Sequence, residues 1–149
     1  MGHTYTSNLY HVVFSTKSRQ RFHPDIRERL HAYLGGAART NGCEALRVGG
    51  TTDHVHILLK MPATMALSKA VQMIKTASSK WIHETFRHEH SFEWQEGYAA
   101  FTVSESQKPK VIEYIENQKE HHRKQRFEDE FVALLRKHVI AFDSKYVLG

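Results

Sequence analysis

The sequence predicts an α+β fold, in which an antiparallel sheet carries helices on one face and further helices follow at the C-terminus. Three observations lead there. Short runs rich in Val, Ile and Leu have the composition of strands, the stretches between them repeat their apolar residues every three or four positions, and the two kinds of segment interleave. Along the chain the order is strand, helix, strand, strand, helix, strand, which is the split βαβ pattern of ferredoxin-like (RRM-like) sandwiches.

The first strand runs from Leu9 to Ser15, with Tyr10, Val12 and Phe14 on one side and Leu9, His11 and Val13 on the other. A polar loop holding Lys17, Arg19 and Arg21 leads to Pro24, a residue suited to a first helical turn. Ile26, Leu30, Leu34 and Ala37 then follow at helical spacing, and Asn41 and Gly42 end the helix. Ala45 to Val48 and His54 to Lys60 read as a hairpin joined through Gly49, Gly50, Thr51, Thr52 and Asp53. Beyond Pro62, residues Leu67, Val71, Ile74, Ser78 and Trp81 mark a long second helix ending near Phe86. His88 to Gly97 reads as irregular, and Ala99 to Ser104 as a fourth strand. Pro109 opens a third helix, Lys110 to about Lys124, and a fourth spans about Phe127 to His138 with Phe131, Leu134 and Leu135 on its apolar side. The tail from Phe142 is ambiguous. No repeat or low-complexity linker divides the chain, so residues 1–149 read as one domain: a core over about 8–104, a tyrosine-bearing helix over about 109–124, and a C-terminal helix and tail over 125–149.

A chain of this length buries a core without disulfides. Cys43, the only cysteine, excludes an internal disulfide and a cysteine-based zinc site, and reads as a small buried residue. No apolar run approaches the roughly 20 residues of a membrane span, so no membrane partner is expected. The net charge of +5 favours a polyanionic partner, because Lys and Arg release counterions from phosphates.

His54 and His56 stand at the start of the hairpin's second strand, where residues two apart project from one face roughly 6 to 7 Å from each other. Two imidazoles in that position can converge on one cation. With twelve histidines, about one such pair arises by chance, and His88 and His90 form a second. The strand pair has a rigid support, since Val55, Ile57 and Leu59 anchor the opposite face, whereas the second pair reads as solvated loop. Taken without further context, the strand pair stands evenly between a metal site and ordinary structure. In the third helix Val111, Ile112 and Ile115 form the apolar side, while Tyr114, Asn117, Gln118 and His121 follow on an adjoining stripe. Periodicity alone reads this first as an amphipathic helix with a snorkelling tyrosine. A cation on the histidines would need a third ligand, and Gln118, one turn beyond Tyr114, is a candidate.

Several segments together resemble the small single-tyrosine transposases of the insertion sequence 200 type, within the group marked by a His-hydrophobe-His (HUH) signature. They are residues 10–17 (YHVVFSTK), 53–59 (DHVHILL), 79–82 (SKWI), 94–98 (WQEGY), 101–104 (FTVS) and 114–118 (YIENQ), and they span nearly the whole chain. The resemblance implies a magnesium or manganese ion held by His54, His56 and Gln118, polarising a phosphate of single-stranded DNA. It implies Tyr114 as the nucleophile, a 5′-phosphotyrosine and a free 3′-hydroxyl, and rejoining by reversal with a different 3′-hydroxyl. No nucleotide triphosphate is required, which agrees with the lack of a Gly-rich phosphate loop. It further implies a homodimer acting on hairpin ends, in several members with the tyrosine helix completing the partner's site, and a place in the prokaryotic cytoplasm in association with DNA.

For DNA contacts the candidates are Lys17, Arg19 and Arg21 in the first loop, Lys75 and Lys80 on the second helix, and His121 beyond the tyrosine. Trp94, Tyr98 and Phe92 are candidates to stack on unpaired bases. His121, His122, Arg123 and Lys124 form a basic cluster beyond the tyrosine, suited to substrate and equally to a helix C-terminus complementing its dipole. Two other readings stand beside the transposase: a host-domesticated relative acting on repeated chromosomal hairpins, and a noncatalytic single-strand DNA or RNA-binding module built on the same sheet.

Overall fold

Strand β1 (Leu9–Ser15) lies between β3 (His54–Lys60) and β4 (Ala99–Thr102), and β2 (Glu44–Gly50) pairs with the outer side of β3. The sheet order is β2-β3-β1-β4 and every pairing is antiparallel. This is the α+β architecture that the sequence predicts. The computed structural model describes residues 2–148; Met1 and Gly149, the ends of the expected domain, lie outside the described residues.

The pleat divides the strands' side chains between two faces. Across β1 and β3, Tyr10 pairs with Leu59, Val12 with Ile57 and Phe14 with Val55, and these turn to one side. Helix α1 (Arg27–Thr40) and helix α2 (Leu67–Thr85) cover that side. Leu30, Leu34 and Ala38 from α1, with Ala70, Val71, Ile74 and Ile82 from α2, close the main core over Val12, Phe14, Val55, Ile57 and Leu59. Each large apolar side chain buried there contributes about 1.5 to 3 kcal/mol of transfer free energy. Asn41 closes α1 by donating from Nδ2 to the Ala37 carbonyl at 2.7 Å, and Gly42 then takes φ 81°, the left-handed conformation that ends a helix.

The other face pairs Ser15 with His54, Val13 with His56 and His11 with Leu58, so polar and apolar residues are interleaved on it. Three C-terminal helices cover it: α3 (Lys108–Glu116), α4 (Gln118–His121) and α5 (Phe127–Lys137). Ile115 of α3 packs on Leu9, Leu58 and Val103, while Phe127, Phe131 and Leu135 of α5 pack on Val13, Ala99 and Phe101. A Cβ at Gly49, opposite His56 in the sheet, would fall 2.2 Å from the Ile115 carbonyl oxygen. The missing side chain therefore lets the end of α3 settle directly on β2.

The single helix expected over about 109–124 is instead two. Asn117 breaks it at φ −96°, ψ 20°, a bridge conformation between α3 and α4, which an Asn accommodates well. β4 ends at Thr102, two residues earlier than expected, and β2 extends to Gly50. The ambiguous tail forms turns, and Phe142, Val147 and Leu148 pack beside α5.

Candidate active site

His54 and His56 enter the second face side by side from β3, both wholly buried. Their rings lie 5.1 Å apart, and each is held from behind through Nδ1. For His54 the partner is the Asp53 carboxylate at 2.8 Å, itself receiving the Thr51 hydroxyl at 2.9 Å. For His56 it is Nε2 of His11, at 2.7 Å from the neighbouring strand. An acceptor or ring behind each imidazole fixes its rotation and leaves Nε2 directed at the helices, as in metal-binding histidines.

Side chains from α3, its continuation and α5 gather around those nitrogens. Gln118, 1% exposed, brings Oε1 to 3.0 Å from His54 Nε2. Glu130, also 1% exposed, brings Oε1 to 3.1 Å from His56 Nε2 and 3.6 Å from His54 Nε2. His122 Nε2 lies 2.9 Å from the same carboxylate oxygen and 3.1 Å from Gln118 Oε1. The Tyr114 hydroxyl donates to Glu130 Oε2, which also accepts from Gln118 Nε2 at 3.1 Å. His121 stands beside the phenol, 3.5 Å from its oxygen.

The donor set fits a divalent cation, and the tautomers show why. The Asp53 carboxylate only accepts, so His54 Nδ1 carries the proton and His54 Nε2 is a lone pair. Facing it at 3.0 Å is Gln118 Oε1, also an acceptor because the Gln118 amide nitrogen is already donating to Glu130. Lone pairs opposed at that distance repel unless a proton or cation lies between them. Ligand atoms of His54, His56, His122 and Glu130 all lie within 4.8 Å of one another, which makes the cluster able to hold a metal ion.

Ionisation follows the same pattern. Burial drives the His56 pKa down to about 4, against the opposing pull of Glu130, so the ring is neutral and available near pH 7. Burial likewise holds His11 well below its ordinary value. At Glu130 burial would raise the pKa, but hydrogen bonds from His122 and His56 outweigh it and hold the carboxyl well below the usual carboxylate range. Burial, then the Glu130 charge, push Tyr114 far above an ordinary phenol. At His122 burial is outweighed by its bond to Glu130, and its pKa rises.

Two cavities reach this cluster. One of about 520 Å³ touches it through Asp53 and His122 and is lined by Arg19, Arg21 and Arg126. The other, about 670 Å³, touches it through His11 and Tyr114 and carries Lys110, Lys137 and His138.

A model of the IS200-like transposases matches residues 4–118 of this chain. The chain belongs to that family. It is 29% identical over 126 residues to the transposase for insertion sequence element IS200 of Salmonella typhimurium, covering 80% of this chain and 82% of that one. To the ISDra2 transposase TnpA of Deinococcus radiodurans it is 28% identical over 124 residues, covering 78% and 89%. A crystal structure of a transposase candidate from Deinococcus radiodurans R1 superposes with a TM-score of 0.63 at 30% identity, over 79% of this chain and 96% of the other. A REP-associated tyrosine transposase bound to a REP hairpin shares the fold at 14% identity, with a TM-score of 0.60 over 97% of this chain and 92% of the other. As a member of this family the chain is a transposase, and no helix among the described residues is long and apolar enough to cross a membrane.

Of the residues singled out from this transposase's sequence, His54, His56, Tyr114, Gln118 and His121 come together within one chain. The nucleic-acid candidates divide. Arg21 is exposed at the arginine-lined cavity, Arg19 is held 2.6 Å from Glu128, Lys17 pairs with Glu93 at 3.2 Å, and exposed Lys80 lies 4.0 Å from Glu84. Trp94 is buried edge-on against Phe14 and Phe92 and donates Nε1–H to Ser78 at 3.0 Å, which places its ring in the core rather than on the surface. Phe92 is buried with it, and Tyr98 is half-buried against the same core. Lys75 is likewise engaged within the chain. Its ammonium donates to the Gln95 and Gly97 carbonyls at 2.8 and 2.6 Å and sits 5.0 Å over Phe14, and burial lowers its pKa to about 8.

Sequence reasoning missed Glu130, Asp53 and His11, and left His122 in a basic cluster open equally to substrate and to the helix end. Glu130 carried a signal: it falls within the apolar stripe of Phe127, Phe131, Leu134 and Leu135, where a charge is stable only with partners.

Proposed function

We propose that this transposase cleaves and rejoins single-stranded DNA through Tyr114, with a divalent ion, Mg2+ or Mn2+, held by His54, His56 and Gln118. The observation that carries the reading is the meeting of the phenol with both imidazoles and the amide in one buried cluster, joined through Glu130. When bound, such an ion polarises the scissile phosphate and offsets the negative charge that builds as the phenol attacks.

The chain's own groups account for the rest. Asp53 and His11 fix the imidazoles, and Gln118 is fixed by its bond to Glu130, so the ligand set is formed before substrate arrives. Tyr114 Oη attacks phosphorus, the P–O bond to the 3′ oxygen of the preceding nucleotide breaks, and the product is a 5′-phosphotyrosine with a free 3′-hydroxyl. A different 3′-hydroxyl then attacks the same phosphorus and returns the phenol, so one phosphodiester replaces another. Burial and the Glu130 charge both oppose a free phenolate, which explains why the nucleophile is paired with a cation site. A strand running from the arginine-lined cavity to the lysine-lined one would cross the cluster with cations on both sides.

The natural substrate in this reading is a hairpin-bearing insertion-sequence end bound by a homodimer. Tyr114 and His56 of one chain both bond Glu130, which supports a complete set within each subunit. A denaturing gel tests the proposal with labelled single-stranded hairpin DNA, Mg2+ or Mn2+, and protein. A slow protein–DNA band is expected that Tyr114→Phe and a chelator each remove. DNA bound in native gels without any such band would instead identify a noncatalytic binding module. Mixing Tyr114→Phe with His54→Ala chains should not restore the band; restoration would show that the phenol is delivered to the partner subunit.

A further inference from the structure

Helix α5 lies wholly beyond residues 4–118, the part of the chain matched by the family, yet it places a carboxylate in the middle of the cluster. Glu130 is 1% exposed and occupies the stripe by which α5 packs on the sheet, between Phe127 and Phe131. Stability gives no reason for an acid there, since replacing a buried ion pair with well-packed apolar residues is commonly neutral or stabilising. Its position has a chemical reason instead. Two imidazoles and an amide oxygen make a neutral ligand set, whereas hard divalent cations favour anionic oxygen.

We propose that Glu130 is a direct ligand of the divalent ion through Oε1, while its Oε2 holds the Tyr114 hydroxyl, making α5 part of the metal centre. The inference rests on the reading of His54, His56 and Gln118 as the metal site. Oε1 stands 3.1 Å from His56 Nε2 and 3.6 Å from His54 Nε2, the two nitrogens that the rings direct at the helices. His122 spans the two oxygens, 2.9 Å from Glu130 Oε1 and 3.1 Å from Gln118 Oε1, so its N–H keeps both turned toward the histidines. Oε2 accepts from Tyr114 and from Gln118 Nε2, which ties the nucleophile to the same carboxylate. One side chain thus sets the distance between the nucleophile and the cation.

Mn2+ binding is the test, read by the loss of the free-ion electron paramagnetic resonance signal on titration of metal-free protein. Glu130→Gln keeps the shape and removes the charge, and should raise the Mn2+ Kd on the order of 10-fold or more. Glu130→Asp should fall between it and the parent. An unchanged Kd in a folded Glu130→Gln protein overturns the proposal, and so does tighter binding, which would mark Glu130 as a group that the ion must displace. His56→Ala run in parallel separates the two readings. If it abolishes binding while Glu130→Gln does not alter it, only the Glu130 ligand is lost; if neither variant matters, the His-His-Gln metal site itself falls. A second measurement needs no variant. Parent protein grown with 13C-carboxyl glutamate and loaded with Mn2+ should show the 13C hyperfine coupling of a bound carboxylate in electron-nuclear double resonance, and a spectrum without it overturns the proposal.

Discussion

The two faces of the sheet are made by the same strands and solve opposite problems. Toward α1 and α2, β3 turns Val55, Ile57 and Leu59 into an apolar core. Toward α3, α4 and α5 it turns His54 and His56, and what meets them is Gln118, Glu130 and His122. The first face lowers the free energy of the fold by removing apolar surface from water, without demanding orientation. The second also buries apolar clusters around Ile115 and Phe131, but at the histidines each polar group must find a partner to offset its lost hydration, and in return the rings and carboxyl are held at defined angles. The face that closes the main core and the face that carries the candidate site differ by a shift of one residue along a strand.

The sharpest way to break this comparison is to truncate adjacent residues of β3. Ile57→Ala should lower stability by about 2 to 5 kcal/mol in chemical denaturation, with adduct formation retained at temperatures where the variant is folded. His56→Ala should leave a folded protein and reduce adduct formation by more than about a thousandfold, as expected when a cation that stabilises several kcal/mol of transition-state charge is lost. If the two variants lose activity and stability in the same proportion, the faces do not divide the work.

A pH series sharpens the contrast next. His56 on one side and His31 on α1 are both kept neutral by burial, each with a pKa lowered to about 4. Because the folded values lie below the ordinary value of 6.5, the unfolded chain takes up protons first. Stability is therefore complete above about pH 6.5 and is lost as the pH falls toward 4, at most about 1.4 kcal/mol per pH unit for each group. Urea unfolding at pH 7, 6 and 5 should show the decline, and a flat profile would contradict it.

Gly49→Ala probes how closely the reactive face is assembled. The new methyl must displace the Ile115 carbonyl, which should cost about 1 to 3 kcal/mol and weaken Mn2+ binding as α3 moves off β2. Stability loss without any change in metal binding would separate the helix position from the site. Trp94→Phe is the mildest probe. Losing the bond to Ser78 should cost about 1 kcal/mol and leave single-stranded DNA affinity unchanged; a large loss of affinity would restore the indole as a base-stacking group.

How much of this was legible in the sequence also follows the two faces. β1 and β3 were readable to the residue, since alternation and β-branched composition act locally, and α2 was readable because its apolar rhythm faces a uniform core. The break at Asn117 was not, because helix periodicity continues through it and the departure is set by Gln118 and what it meets across the sheet. Trp94 and Lys75 were read as nucleic-acid contacts from composition, whereas Phe14 and the Gln95 to Gly97 carbonyls, distant in sequence, draw them inward. Tyr114, His54, His56 and Gln118 carried a recognisable pattern, but Glu130 is recognisable only after α5 is docked.

The most direct measurement of the central claim is peptide mapping of the covalent adduct. After reaction with single-stranded hairpin DNA and Mg2+ or Mn2+, trypsin should release the peptide Val111–Lys119 with a nucleotide mass localised on Tyr114, its only tyrosine. The modified peptide should vanish with chelator and in His56→Ala. A nucleotide on any other residue, or strand cleavage that persists in Tyr114→Phe, would contradict the account.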